Sequence, residues 1–262
     1  MDILNSINPL YSLSGFVVGV LVGLTGVGGG SLMTPLLVMA FGVHPTTAVG
    51  TDLLYAAATK SVGTVVHGAS RTIDWRIVGR LAAGSVSATA ITLLALARYG
   101  KQLGAAHGVI TIVLGVALIL TAVAIFFRQA IVDFFAKRAG PPDSRRTTAL
   151  TILLGAVLGT LVSLSSVGAG AIGMTVLLVL YPRAPVGKLV GSDIAHAVPL
   201  TLLGGLGHWM MGSVDWHLLV SLLSGSIPGI IIGSLLSARA PDRVLRPILA
   251  STLGVVGVKL FF

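Results

Sequence analysis

Cysteine is absent from all 262 residues. Disulfides, thiol catalysis and thiolate metal sites are thereby excluded. Charge is scarce as well. Asp, Glu, Lys and Arg together supply 10% of the chain, against about 25% in an ordinary soluble domain. No charged residue occurs over 3–51 or 147–182, and 102–127, 194–214 and 216–238 are equally bare. Each run is long enough to cross roughly 30 Å of hydrocarbon as a helix. The sequence therefore reads as an all-α polytopic membrane protein with the lipid bilayer as its solvent. A transmembrane barrel needs short alternating segments, whereas these runs are continuous and rich in Leu, Ala and Gly. The opening MDILNSINPLYSL has no basic region and no cleavage site, so a removable signal peptide is not expected. The formal net charge is +9, but the basic residues sit in short loops. That distribution serves topology and does not point to nucleic acid.

Glycine is plentiful, at 34 residues, and much of it falls in a pattern that occurs twice. VGTDLL at 49–54 matches VGSDIA at 190–195, a shift of 141. Under that shift His67 falls on His208, Ile73-Asp74-Trp75 on Val214-Asp215-Trp216, and Gly84-Ser85 on Gly225-Ser226. VGGG at 27–30 meets VGAG at 167–170 with a shift of 140. Rare residues in one order and one register mark an internal duplication. The chain divides into a first transmembrane repeat, 1–128, a basic linker loop, 129–146, and a second repeat, 147–262. Duplicated halves with Gly-interrupted apolar segments in matching places are the sequence mark of a secondary transporter.

Each half holds four apolar blocks: 10–41, 46–68, 75–97 and 102–127, then 147–180, 186–209, 216–238 and 243–262. The first block of each half is too long for one ordinary helix. It is either one broken crossing or two short arms that enter and return. If every block crosses once, the basic residues divide almost evenly between the two sides. If blocks 10–41 and 147–180 return, only Arg98, Lys101 and Lys259 lie on the poor side, with Lys60 left out as buried. The positive-inside rule favours the second arrangement. Crossings per half are then odd, which makes the halves inverted repeats, each with a Gly-broken or re-entrant first segment.

The stretch GLTGVGGGSLMTP at 23–35 is not a phosphate loop, because no lysine follows Gly30 and no strand precedes it. Non-helical backbone at membrane depth must be buried in protein or line a polar cavity. A helix starting near Gly30 would aim its free amides inward, and one starting near Gly170 would do so from the other half. A small anion is expected between them. Its contacts would be Thr25, Gly28, Gly29, Gly30, Ser31 and Thr34 on one side, and Ser165, Ser166, Gly168, Ala169 and Gly170 on the other. Close helix packing through small residues is the competing explanation for the same glycines.

Three ionisable residues lie inside apolar blocks, where charge defaults to function. Lys60 would neutralise an incoming anion, and it has no match, since position 201 is Thr. Asp52 and Asp193 occupy matching positions, and a helix-capping role competes with proton coupling for both. His67, His208 and His196 are further proton-coupling candidates. Asp74-Trp75 and Asp215-Trp216 read as helix caps beside interface anchors. No metal site, no cofactor and no nucleophile–base set is readable, so an enzyme is not expected.

Taken together, GLTGVGGGSLMTPLL at 23–37, VGTDLLY at 49–55, IDW at 73–75, VGAG at 167–170, GSD at 191–193 and VDW at 214–216 carry a resemblance. The chain resembles the sulfite exporter TauE/SafE family over nearly its whole length. That resemblance implies a prokaryotic inner-membrane transporter of small sulfur-containing anions, sulfite or organosulfonates such as sulfoacetate. The glycine-rich turns, Asp52 and Asp193 fall in the family's motifs, whereas Lys60 rests on electrostatics alone. Protons are the expected coupling ion, and a homodimer is left open. The rival functions are an anion channel and a cation or metal transporter using Asp52 and Asp193.

Overall fold

The uncharged runs become helices, because an exposed backbone in hydrocarbon must satisfy its own hydrogen bonds. The computed structural model describes residues 7–25, 30–69, 71–99, 106–136 and 144–236, with 251, 254–255 and 258–259. Among them are ten helices and no strand: α1 (Pro9–Thr25), α2 (Gly30–Ala40), α3 (Pro45–Ala69), α4 (Trp75–Tyr99), α5 (Ala106–Phe126), α6 (Arg128–Ala136), α7 (Ser144–Ser165), α8 (Ala171–Leu180), α9 (Val186–Met210) and α10 (Trp216–Leu236). Helices α4, α7, α9 and α10 are each long and apolar enough to cross a bilayer. Helices α5 and α6 make a fifth crossing if joined, with a 69° bend between them. Helix α3 equals the longest at 25 residues but carries Asp52 and Lys60. The expected linker loop at 129–146 is partly helical, since α6 runs through its first part and α7 starts at Ser144. Residues 137–143 and most of block 243–262 lie outside the described residues.

Both first blocks break at their glycines and turn back. Tyr11 near the start of α1 packs edge-on against Phe41 just beyond α2, with ring centroids 4.9 Å apart. In the second half, Thr151 Oγ1 near the start of α7 lies 2.8 Å from Tyr181 Oη just beyond α8. These are matching positions, Tyr11 with Thr151 and Phe41 with Tyr181. A chain whose end touches its own beginning has made a hairpin, so neither block is a single straight crossing.

Glycine faces seat the hairpins. Without a Cβ, helix backbones approach closely in an apolar medium. Gly15 and Gly19 of α1 lie against the backbone of Leu222 and Ser226 on α10, so these helices run parallel. Gly155 and Gly159 of α7 lie in the same way against Leu81 and Ser85 of α4. Helices α3 and α9 run antiparallel, with Leu53 at Gly204 and Gly63 at Ile194. Every one of these contacts recurs when matched positions are exchanged. The loops obey the same rule: Asp74 N donates to Ser192 Oγ at 2.8 Å, and Asp215 N to Thr51 Oγ1 at 3.0 Å.

The two Asp-Trp pairs stand where the sequence put them. Asp74 Oδ1 accepts from Arg76 N at 3.0 Å, and Asp215 Oδ1 accepts from Leu218 N at 3.0 Å, at the starts of α4 and α10. Trp75 and Trp216 are 66% and 48% exposed, as interface anchors should be. Asp74→Ala and Asp215→Ala are each expected to cost about 1 kcal/mol. Thermal unfolding in detergent would reveal it as a small, equal drop in midpoint for the two variants.

Candidate functional site

Burial selects the site. Asp52 and His196 are fully buried, Asp193 is 4% exposed and Lys60 is 7% exposed. Asp52 and Lys60 belong to α3, while Asp193 and His196 stand one turn apart on α9. The antiparallel contact of these helices at Gly63 and Ile194 carries Lys60 into electrostatic reach of Asp193 as well as Asp52. His196 also lies within reach of Lys60. Each aspartate keeps a buried Oδ1 with no hydrogen-bond partner.

Asp52 and Asp193 both stand inside helices, so neither caps the helix it belongs to. Asp52 instead braces the first hairpin: Thr34 Oγ1 of α2 donates to Asp52 Oδ2 at 2.5 Å. On its other side lies the second break. Ser166 approaches the Asp52 carboxyl closely enough to interact with it, yet its Oγ is buried and makes no hydrogen bond. Ala169 packs among Val49 and Leu53, on either side of Asp52 in the sequence.

The second break is built to expose amides. Ser165 Oγ donates to Leu161 O at 2.7 Å and accepts from Val167 N at 3.2 Å, so it fastens the end of α7. Ser166 has φ 59 and Gly168 φ 115, both left-handed, and only glycine adopts the second without strain. Helix α8 then starts with no side-chain cap on Gly170. Ile172 N and Gly173 N both donate to Gly168 O, at 3.0 and 3.1 Å. Among the described residues, the buried amides of Ala169, Gly170 and Ala171 have no acceptor. Three free amides at a helix start, beside a free hydroxyl, are receptive to an anion. Gly168→Ala is expected to destabilise the fold by about 1 kcal/mol or more. The new Cβ would adopt a strained φ and meet Leu161 Cδ2 at 3.0 Å; a lowered unfolding midpoint in detergent checks this.

The first break is only partly in view. Gly28 and Gly29 lie outside the described residues, as do the side chains of Thr25 and Ser31, while Gly30 is the first residue of α2. Thr34 is fully buried. The histidines that match each other stand near the C-terminal ends of the antiparallel α3 and α9, and so lie apart. His67 Nδ1 lies 2.9 Å from Thr72 Oγ1 at the end of α3, half-buried. His208 Nε2 donates to Ser163 O at 2.9 Å, and its Cβ would stand 2.9 Å from a Cβ at Gly50, so it lies at the Asp52 end of the site, roughly 18 Å along α9 from His196 at 1.5 Å per residue. Among the described residues no group of three or more His, Asp or Glu could hold a metal ion.

Two parts of the site escaped the sequence reading. Tyr55 and His196 are matched under the shift of 141, as are their partners Ser226 and Ser85. Tyr55 Oη lies 2.7 Å from Ser226 Oγ, and His196 Nε2 lies 2.9 Å from Ser85 Oγ. The register that aligned Gly84-Ser85 with Gly225-Ser226 already contained this pairing. The other part is Gly173, where a Cβ would stand 2.8 Å from Asp193 Oδ1. Its match in the first half is Met33, so the available signal was a departure from symmetry.

Comparison with known proteins covers nearly the whole chain. The family model described as sulfite exporter TauE/SafE matches residues 11–260. The probable membrane transporter protein YjnA of Bacillus subtilis (strain 168) is 40% identical over 254 residues, spanning 95% of this chain and 97% of that protein. The probable membrane transporter protein YdhB of the same strain is 29% identical over 254 residues, spanning 94% and 97%. A probable membrane transporter protein of Xylella fastidiosa (strain 9a5c) is 26% identical over 231 residues, spanning 86% and 83%. No solved structure matches the chain.

Proposed function

The chain belongs to the sulfite exporter TauE/SafE family, a small-anion transporter of the cell membrane with multiple spans and not an enzyme, and on that premise we propose that it moves small sulfur-containing anions by alternating access. Sulfite and organosulfonates such as sulfoacetate are the substrates proposed, with protons as the coupling ion. The observation that carries this reading is the buried Lys60, in electrostatic reach of two carboxyls, one of which, Asp52, lies beside a helix break with unsatisfied amides. A buried ammonium and free amide hydrogens are donors without acceptor capacity, so the complementary ligand is an anion rich in oxygen acceptors. Ala169, Gly170 and the Ser166 hydroxyl would hold the anion, with Lys60 supplying charge. Ser165 and Thr34 support the geometry through the bonds already described. Thr25, Gly28, Gly29, Gly30 and Ser31 remain the proposed contacts from the first half.

Inverted halves fit the same reading. A pseudo-two-fold axis exchanging the antiparallel α3 and α9 lies across the helix axes, hence in the membrane plane. Equivalent helices related by an axis along the membrane normal would run parallel. Two hairpins related in this way can open the central site to each side in turn. The 1–128 and 147–262 halves would move against each other around α3 and α9.

Binding tests the substrate class. Purified protein in detergent is titrated with sulfite, sulfoacetate, taurine, sulfate and chloride. Saturable binding of a sulfur oxyanion, weakened in Ser166→Ala, supports the proposal. Binding of a divalent cation that disappears in Asp52→Asn and Asp193→Asn, with no anion binding, would replace it with a cation transporter.

A further inference from the structure

The duplication gives the bundle two carboxyls at equivalent positions, but their surroundings are not equivalent. Asp52 accepts a hydrogen bond from Thr34 Oγ1 and has Ser166 within interaction range. The residue matching Thr34 in the second half is Met174, which has no hydroxyl. Among the described residues no donor reaches Asp193, whose Oδ1 is buried and bare. It lies instead against Gly173, where the first half has Met33. One carboxyl is therefore held by a donor, the Thr34 hydroxyl, and the other stands in a space opened by a missing side chain.

Charge counting makes the difference consequential. With all four groups ionised, Lys60, Arg128, Asp52 and Asp193 sum to zero, and an arriving anion would leave net negative charge inside a low-dielectric bundle. Such a site accepts an anion readily only when one carboxyl is neutral. Donors favour the ionised form of the group that they bond, and an ionised carboxylate without donors is costly to bury.

We infer that the two matched aspartates have divided their roles: Asp193 takes up and releases the coupled proton, and Asp52 stays ionised as the fixed counter-charge of Lys60. This rests on the anion-transport reading for its purpose but not for its test. The proton moves between Asp193 and water as the site opens, and no bond other than O–H is made or broken. The groups that face Asp193 are few. Lys60 comes from α3 and Arg128 from the start of α6, both within electrostatic reach. Helix α8 presents Gly173 and no titratable residue. On α9 itself His196 is one turn away, tied through Nε2 to Ser85 of α4. Among the described residues every approaching charge on another helix is thus positive, which lets the proton leave once the anion has gone.

Infrared difference spectroscopy reads the assignment directly. Protein in liposomes free of sulfur anions is stepped in pH, and the carbonyl stretch of a protonated carboxyl is followed. A titrating band is expected in wild type, lost in Asp193→Asn and kept in Asp52→Asn. Should Asp193→Asn fail to fold, Gly173→Ala serves in its place. Its Cβ would press on Asp193 Oδ1, and it should shift the frequency and midpoint of the band. A band lost in Asp52→Asn and unmoved by the changes at 193 and 173 overturns the division of roles. The absence of any titrating carboxyl in wild type overturns it as well. A wild type that shows the Asp193 band but binds no sulfoacetate or sulfite leaves this assignment standing and removes the proposed substrates instead.

Discussion

Lys60→Ala should abolish anion uptake, lowering it about a hundredfold or more, since removing one partner from buried charges costs about 3 kcal/mol or more. Lys60 lies in reach of both Asp52 and Asp193, and position 201, its match on α9, is a threonine. Its loss leaves two buried carboxyls facing the site with nothing from α3 to offset them. Part of the effect will be on stability, because the carboxyls must then either stay charged at high cost or be neutralised. The double variant Lys60→Ala with Asp193→Asn separates the two. It should regain much of the unfolding midpoint while uptake stays low, because the charge imbalance is relieved and the anion's partner is still missing. If the double variant transports like wild type, Lys60 serves only the fold.

The second large effect falls on structure. Gly84→Ala and Gly225→Ala should each cost about 3 kcal/mol, the upper range for forcing atoms into a closed contact. A Cβ at Gly84 would run into the backbone carbonyl of Ile152, and one at Gly225 into that of Ser12. Neither carbonyl can retreat, since each belongs to a helix. The hairpin would have to lift from its partner, α7 from α4 in one case and α1 from α10 in the other. Gly79 is the control: on the same helix as Gly84, a Cβ there meets nothing within 4 Å. Gly79→Ala should be neutral or slightly stabilising, by up to about 1 kcal/mol, from helix propensity alone. Thermal unfolding in detergent should give two matched large drops and one null. A large drop at only one of the matched glycines would show that the two hairpins are seated differently.

Much of this fold was legible because the duplication repeats rare residues. The Asp-Trp pairs fixed the starts of α4 and α10, and charge-free runs fixed most helices to within a few residues. The positions of Arg and Lys favoured a return of the first blocks over a broken crossing without deciding between them, and Tyr11 with Phe41 and Thr151 with Tyr181 close both hairpins. Helix α6 was not legible. Its residues, RQAIVDFFA, mix charge with aromatic side chains at a span's end and carry no apolar run. In the site, burial of Asp52, Asp193 and Lys60 followed from their place inside apolar blocks. The partners did not, because a hydroxyl such as Thr34 reaching another helix leaves no trace in local sequence. Ser165 illustrates the converse. Its residue type suited an anion contact, but at the end of α7 its hydroxyl is spent on Leu161 O and Val167 N. His67 and His208 match each other, but a match under two-fold symmetry places residues far apart unless they lie near the axis. Lys60 and His196 do lie near it, where α3 crosses α9.

Solute counterflow is the most direct test of transport through the Lys60 site. Liposomes holding the protein are loaded with unlabelled sulfoacetate and diluted into a trace of the labelled anion. A transporter that opens to one side at a time should drive labelled sulfoacetate transiently above its equilibrium level, and Lys60→Ala should show no such overshoot. Label that merely equilibrates, equally in wild type and Lys60→Ala, would mean an open pore that does not use this site.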